Sequence, residues 1–118
     1  MIEFIIDQID DIFVVRIQIV RATLNNASAF KETLLELIEQ GHKKIIIDCI
    51  NVEFMDSTFL GSMVVALKKL NAVDGELRIV FANKETPVWL MFETTRMVKV
   101  FKSFLSIDEA VESFNTSE

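Results

Sequence analysis

A short unbroken apolar run, Ile45-Ile46-Ile47, lies between two stretches whose apolar residues recur at helical spacing. A strand that is apolar on both faces must be covered on both faces, the situation of a strand inside a parallel sheet. Upstream, Phe30, Leu34, Leu37 and Ile38 fall on one helical stripe opposite Lys31, Glu32, Glu36 and Glu39, and Gly41 follows as a stop. Downstream, Leu60, Met63, Val64, Leu67 and Leu70 form a second stripe after Asp56-Ser57, ending near Asp74-Gly75. Leu77, Ile79 and Phe81 then alternate as a strand, and Thr86-Pro87 reads as an N-cap with Pro in the first turn. That third helix runs to about Thr95. A short strand near Lys99 to Phe104 follows, and Ser106-Ile107-Asp108-Glu109 is a capping-box pattern for a last helix carrying Ala110, Val111 and Phe114.

The chain opens differently. Phe4-Ile5-Ile6 meets a break at Asp10-Asp11, after which Phe13, Val15, Ile17 and Ile19 alternate with Arg16 and Gln18. This predicts a hairpin with one half-buried strand, and a first helix starting at Asn26. The order β-β-α-β-α-β-α-β-α defines an α/β fold: a mixed, mostly parallel sheet, an antiparallel pair at its start and about four helices. The 118 residues form one domain, 1–114, with a polar tail at 115–118.

Charge and composition remove several function classes. A net charge of −6 has the wrong sign for generic binding to nucleic-acid phosphates and favours a basic protein partner. No apolar run is long enough to span or insert into a bilayer, and Met1-Ile2-Glu3-Phe4 has no basic leader pattern. A single cysteine, Cys49, forms no internal disulfide, fits a reducing, cytoplasmic compartment and reads as a small buried hydrophobe. A single histidine, His42, sits in a helix-to-strand turn and reads as a solvated loop residue, so zinc sites and catalytic triads lack their parts. The three glycines, at 41, 61 and 75, are too scattered for a phosphate-cradling loop. No cofactor, metal or enzymatic activity is expected.

The chemistry concentrates between Asp48 and Gly61, where a buried strand leads through a loop into a helix. Open α/β sheets carry functional groups there, beyond the carboxyl ends of strands. Taken locally, Asp56-Ser57-Thr58 is a helix start whose oxygens accept from first-turn N–H groups. The same position suits a phosphoacceptor hydroxyl, with Asp48 and Asp56 as carboxylates opposing an added phosphate. The two readings are compatible.

The run Ile47-Asp48-Cys49-Ile50-Asn51-Val52-Glu53-Phe54-Met55-Asp56-Ser57-Thr58-Phe59-Leu60-Gly61 resembles the signature of STAS domains, in particular the bacterial anti-sigma factor antagonists. Asn26-Ala27 and the ending from Val98 to Ala110 extend the likeness over almost the whole chain. The resemblance implies a STAS-like fold and a switch. Unphosphorylated, such a protein binds an anti-sigma factor that is also a serine kinase; phosphorylated, it lets go, and a serine phosphatase resets it. Carried over by position, the acceptor is Ser57, with Thr58 second, and the chain is a substrate rather than an enzyme. Two positions depart from the family pattern. Phe59 stands where Gly is usual, and Thr23 replaces an Asp in Val20-Arg21-Ala22-Thr23 near the acceptor.

A docking face is expected on the helix after Ser57, from Phe59, Ser62, Val65 and Lys69. The third helix, apolar nearly all round from Val88 to Phe92, offers a patch for a partner, for a weak homodimer or for burial under the termini. Two other functions compete with the switch: a STAS accessory subunit docking on a transporter ATPase without phosphorylation, and a receiver-like domain phosphorylated on Asp48.

Overall fold

The computed structural model describes residues 2–116. Strands β1 (Phe4–Ile9) and β2 (Ile12–Ile17) form an antiparallel hairpin, closed at Asp10 with φ of +54°. Next come β3 (Arg21–Ala22), α1 (Leu24–Glu39), β4 (Lys44–Asp48), β5 (Phe54–Met55) and α2 (Ser57–Ala72). The chain continues through β6 (Glu76–Val80), α3 (Pro87–Thr94), a 3-10 turn at Met97–Lys99, β7 (Lys102–Phe104) and α4 (Ile107–Thr116). The main sheet has the order β1-β2-β4-β6-β7, parallel except for the hairpin. The expected mixed α/β fold with four helices is the one observed.

Alternation along the strands sorts the core into two layers. Val15, Ile17, Ile45, Ile47, Leu77 and Ile79 face α1, α2 and α3 and form the larger cluster. On the other face, Ile12, Val14, Ile46 and Val80 pack under Ala110 and Phe114 of α4. That second layer corrects the expectation for β2: with Val14 and Val15 both buried, the strand is covered on both faces. α4 also runs on through Asn115 to Thr116, so half of the expected tail is helical; Ser117 and Glu118 lie outside the described residues.

Two further elements differ from the sequence reading. The helix expected from Asn26 starts at Leu24, because Thr23 caps it: Asn25 N donates to Thr23 Oγ1 at 3.3 Å, and Thr23 N donates to Asn26 Oδ1 at 3.2 Å. The helix ends where Gly41 takes φ of +93°. His42 beyond it is half-buried, not freely solvated, with its ring stacked on Phe13 at 3.9 Å. Within α3, Val88, Trp89 and Phe92 turn inward against Phe81 and Phe101, leaving Leu90 exposed. No helix among the described residues is long and apolar enough to cross a membrane.

Candidate functional site

The site is built by the shortest elements in the molecule. β3 and β5 form a separate two-residue parallel ribbon, pairing Arg21 with Phe54 and Ala22 with Met55. Asp56 N donates to Ala22 O at 3.0 Å, and Glu53 N to Val20 O at 2.9 Å. The ribbon therefore sets the start of α1 beside the start of α2. Arg21 closes its outer side, with its guanidinium carbon 4.5 Å from the Phe54 ring centroid.

Asp56 joins the two starts. Its Oδ1 accepts from Phe59 N at 2.9 Å, capping α2, and its Oδ2 accepts from Leu24 N at 2.8 Å, in the first turn of α1. One carboxylate thus satisfies N–H groups at the positive ends of two sixteen-residue helices. Ser57, the first residue of α2, is exposed, and among the described residues no side-chain hydrogen bond engages its hydroxyl. Thr58 is exposed beside it.

Other residues named from the sequence sit elsewhere. Asp48 is buried at the end of β4, where Oδ1 accepts from Ile50 N at 2.9 Å and Oδ2 from Arg16 Nε at 3.3 Å. Its alternation with Ile47 points it to the α4 side of the sheet, away from α2, so it is not a neighbour of Ser57. Arg16 bridges onward to Asp7 at 2.9 Å, and with its carboxylate so engaged Asp48 is no open receiver acceptor. Thr23 adjoins the site through Leu24 and serves as the cap of α1.

Phe59, expected at the partner face, is wholly buried and stacks on Phe30 with ring centroids 4.5 Å apart. The ring occupies the α1–α2 contact and is no part of the exposed face around Ser57. Ser62 is buried too, its hydroxyl donating to Phe59 O at 2.6 Å, while Val65 and Lys69 are exposed. The inward stripe of α2 is Phe59, Met63, Ala66 and Leu70, rotated from the predicted one because Phe59 supplies its largest anchor.

A shallow groove of about 350 Å³ runs between α1 and α2 just past Ser57, lined by Ala27, Ser28 and Lys31 on one side and Thr58, Gly61 and Val65 on the other. Lys31 and Ser28 were invisible as site residues. Lys31 reads as an ordinary solvated position of α1 until α2 is packed beside it. Among the described residues no group of His, Cys, Asp or Glu is placed to hold a metal ion. Cys49 is buried, and desolvation, with the neighbouring Asp48 charge, pushes its thiol pKa up, which keeps it protonated.

Residues 3–110 match the STAS domain, and the chain belongs to that family. It is 31% identical over 90 residues to a Thermotoga neapolitana homolog of TM1081, provisionally named an anti-sigma factor antagonist; the match covers 75% of this chain and 78% of that protein. The crystal structure of Thermotoga maritima TM1081 itself superposes with a TM-score of 0.81 at 25% identity, covering 93% of this chain and 92% of that one. The anti-sigma factor antagonist SpoIIAA in its unphosphorylated form shares the fold, with a TM-score of 0.71 at 18% identity over 98% of this chain and 99% of its own.

Proposed function

We propose that this protein is an anti-sigma factor antagonist switched by phosphorylation of Ser57. The observation that carries the reading is an exposed, unengaged hydroxyl on the first residue of α2, fixed in place by the doubly bonded Asp56 before it. The names of the relatives support the partner class, an anti-sigma factor. That the fold can carry a phosphoryl group is supported by a Bacillus SpoIIAA structure in the phosphorylated form.

In the switching step, Ser57 Oγ attacks the γ-phosphorus of ATP held by an anti-sigma factor with serine kinase activity. The bond to the bridging β–γ oxygen breaks, ADP leaves, and the hydroxyl proton passes to a base of the kinase. Asp56 positions the acceptor, since each of its oxygens already holds a backbone N–H. The product places about two negative charges beside Asp56, on a surface that also exposes Leu24, Phe54 and Val65. A partner docked over that surface then meets like charge and a hydrated group where it had apolar contact, and it dissociates. A serine phosphatase restores the hydroxyl.

The test is incubation with ATP and a candidate anti-sigma kinase, with phosphate mapped by mass spectrometry in wild type, Ser57→Ala and Thr58→Ala. Phosphate on wild type and Thr58→Ala but not on Ser57→Ala supports the reading. Phosphate retained by Ser57→Ala and lost from Thr58→Ala moves the switch by one residue. Tight binding to the anti-sigma factor with no phosphate on either leaves an antagonist without this switch.

A further inference from the structure

α2 carries no carboxylate. From Ser57 to Ala72 there is no Asp or Glu, in a chain with eighteen of them, and Asp56 and Asp74 lie off its two ends. Its cations are Lys68 and Lys69, both exposed, and Lys31 of α1 lines the groove beside it. Among the described residues none of these three lysines forms an ion pair. The acids of α1, Glu32, Glu36 and Glu39, lie along a neighbouring groove that Lys31 borders, and they bridge none of the three. Ser57, Gly61 and Lys68 fall at i, i+4 and i+11, on one outward stripe of α2, with Val65 and Lys69 beside it.

Gly61 has no task inside the molecule. Glycine in a helix interior is less stable than alanine, yet a Cβ at this position would meet no atom within 4 Å, and φ here is not positive. The bare backbone suits something that comes close from outside.

The sign of the switch limits what that is. A net charge of −6 by itself favours a basic partner, but a basic surface facing Ser57 would hold an added phosphate instead of rejecting it. We infer that the anti-sigma factor docks an acidic segment along the outward face of α2, close over Gly61, with its carboxylates on Lys31, Lys68 and Lys69. The inference rests on the Ser57 reading and supplies it with the charge of the partner. A phosphoryl group on Ser57 then meets like charge in the docked segment. Lys68 lies eleven residues further along α2, about 16 Å at 1.5 Å per residue. That exceeds the screening length of about 10 Å at 0.1 M salt, so this lysine does not neutralise the phosphate.

The experiment uses the whole chain and the full-length anti-sigma kinase of the phosphorylation test, with affinity read by titration calorimetry. Reversing both charges, Lys68→Glu with Lys69→Glu, should weaken binding at least about tenfold with unchanged circular dichroism. Raising salt should weaken wild type more than this double variant. Lys102→Glu reverses a charge in register with Arg78, on the α4 face of the sheet, and should change affinity less than about twofold. Gly61→Leu places its Cβ in open space, so the urea midpoint should not fall, yet binding should weaken at least about tenfold. The inference and the Ser57 reading fail separately. Phosphate on Ser57 with affinity unmoved, or raised, by the double reversal overturns the inference and leaves the switch. Binding that the double reversal and Gly61→Leu both weaken, with no phosphate on Ser57, supports the docked acidic segment and removes the switch. A wild type that does not bind the anti-sigma factor overturns both.

Discussion

Asp56 Oδ2 lies 2.8 Å from the backbone nitrogen of Leu24, so the residue that caps α2 also holds the first turn of α1. Helix caps contribute about 0.5–2 kcal/mol each. Asp56→Ala removes both bonds and should lower unfolding stability by about 2–3 kcal/mol. Asp56→Asn keeps one acceptor but turns an NH₂ toward the second N–H, so it should fall between Ala and wild type. Urea titration of the three proteins checks the order; an Asn variant as stable as wild type would sink the two-helix account.

Ser57→Asp separates folding from switching. The side chain is exposed at the positive end of α2, where added negative charge is tolerated, although Asp56 lies beside it. Unfolding free energy should change by no more than about 0.5 kcal/mol. Affinity for the anti-sigma partner should drop at least about tenfold, or about 1.4 kcal/mol, by titration calorimetry. Equal affinity for both proteins would remove charge-driven release from the proposed mechanism.

Phe59 stands where the family pattern has Gly, and its ring fills the space between α1 and α2 against Phe30. Emptying a buried Phe site costs about 3–5 kcal/mol, and Gly in a helix adds about 1. Phe59→Gly should therefore destabilise the protein by about 4–6 kcal/mol in urea unfolding while leaving the Ser57 hydroxyl exposed. A loss under about 1 kcal/mol would mean α1 closes over the gap.

The strands that carry most of the fold announce themselves by period. Ile45-Ile46-Ile47 is buried on both faces as an inner strand should be, and Thr86-Pro87 opens α3 where the pattern placed it. The site was only half legible. Ser57 follows from Asp56 and the helix start, but β3 and β5 are two residues each, too short for any period, and they bring Leu24 to Asp56. Phe59 and Ser62 were misplaced because a helical wheel gives spacing without fixing rotation. The α1–α2 packing sets that rotation, turning Phe59 onto Phe30. Asp48 was misjudged for a related reason: proximity along the chain hid the alternation that points it to Arg16 on the far face.

Cys49 should be silent in the native state. It is fully buried, and loss of hydration with the Asp48 charge beside it raises its thiol pKa above the ordinary value of 9.0. In the unfolded chain the thiol ionises as pH rises past about 9, whereas in the native protein it stays protonated. The native state then binds more protons, and stability contributed by this group falls with rising pH. A thiol-reactive disulfide reagent at pH 8 should label Cys49 only after urea unfolding; rapid native labelling would show that the end of β4 opens.

Arg78 is the largest fully buried side chain among the described residues, 2% exposed on the α4 side of β6. Its Nε donates to Ser113 Oγ at 3.0 Å, its terminal nitrogen to Glu76 Oε1 at 3.2 Å, and its guanidinium carbon lies 4.3 Å from the Phe114 ring centroid. The side chain clamps α4 to the sheet partly by charge and partly by its apolar stem. Arg78→Met keeps the stem and removes the buried charge, while Glu76 is exposed enough to be solvated alone, so stability should shift by less than about 1.5 kcal/mol. Arg78→Ala also removes the surface on which Phe114 rests and should cost about 2–4 kcal/mol. Amide exchange resolves the location of the damage: in Arg78→Ala, protection should fall first along Ile107–Thr116 while α1 and α2 keep theirs. Equal loss in the Met and Ala variants would assign the clamp to the charge instead of the stem.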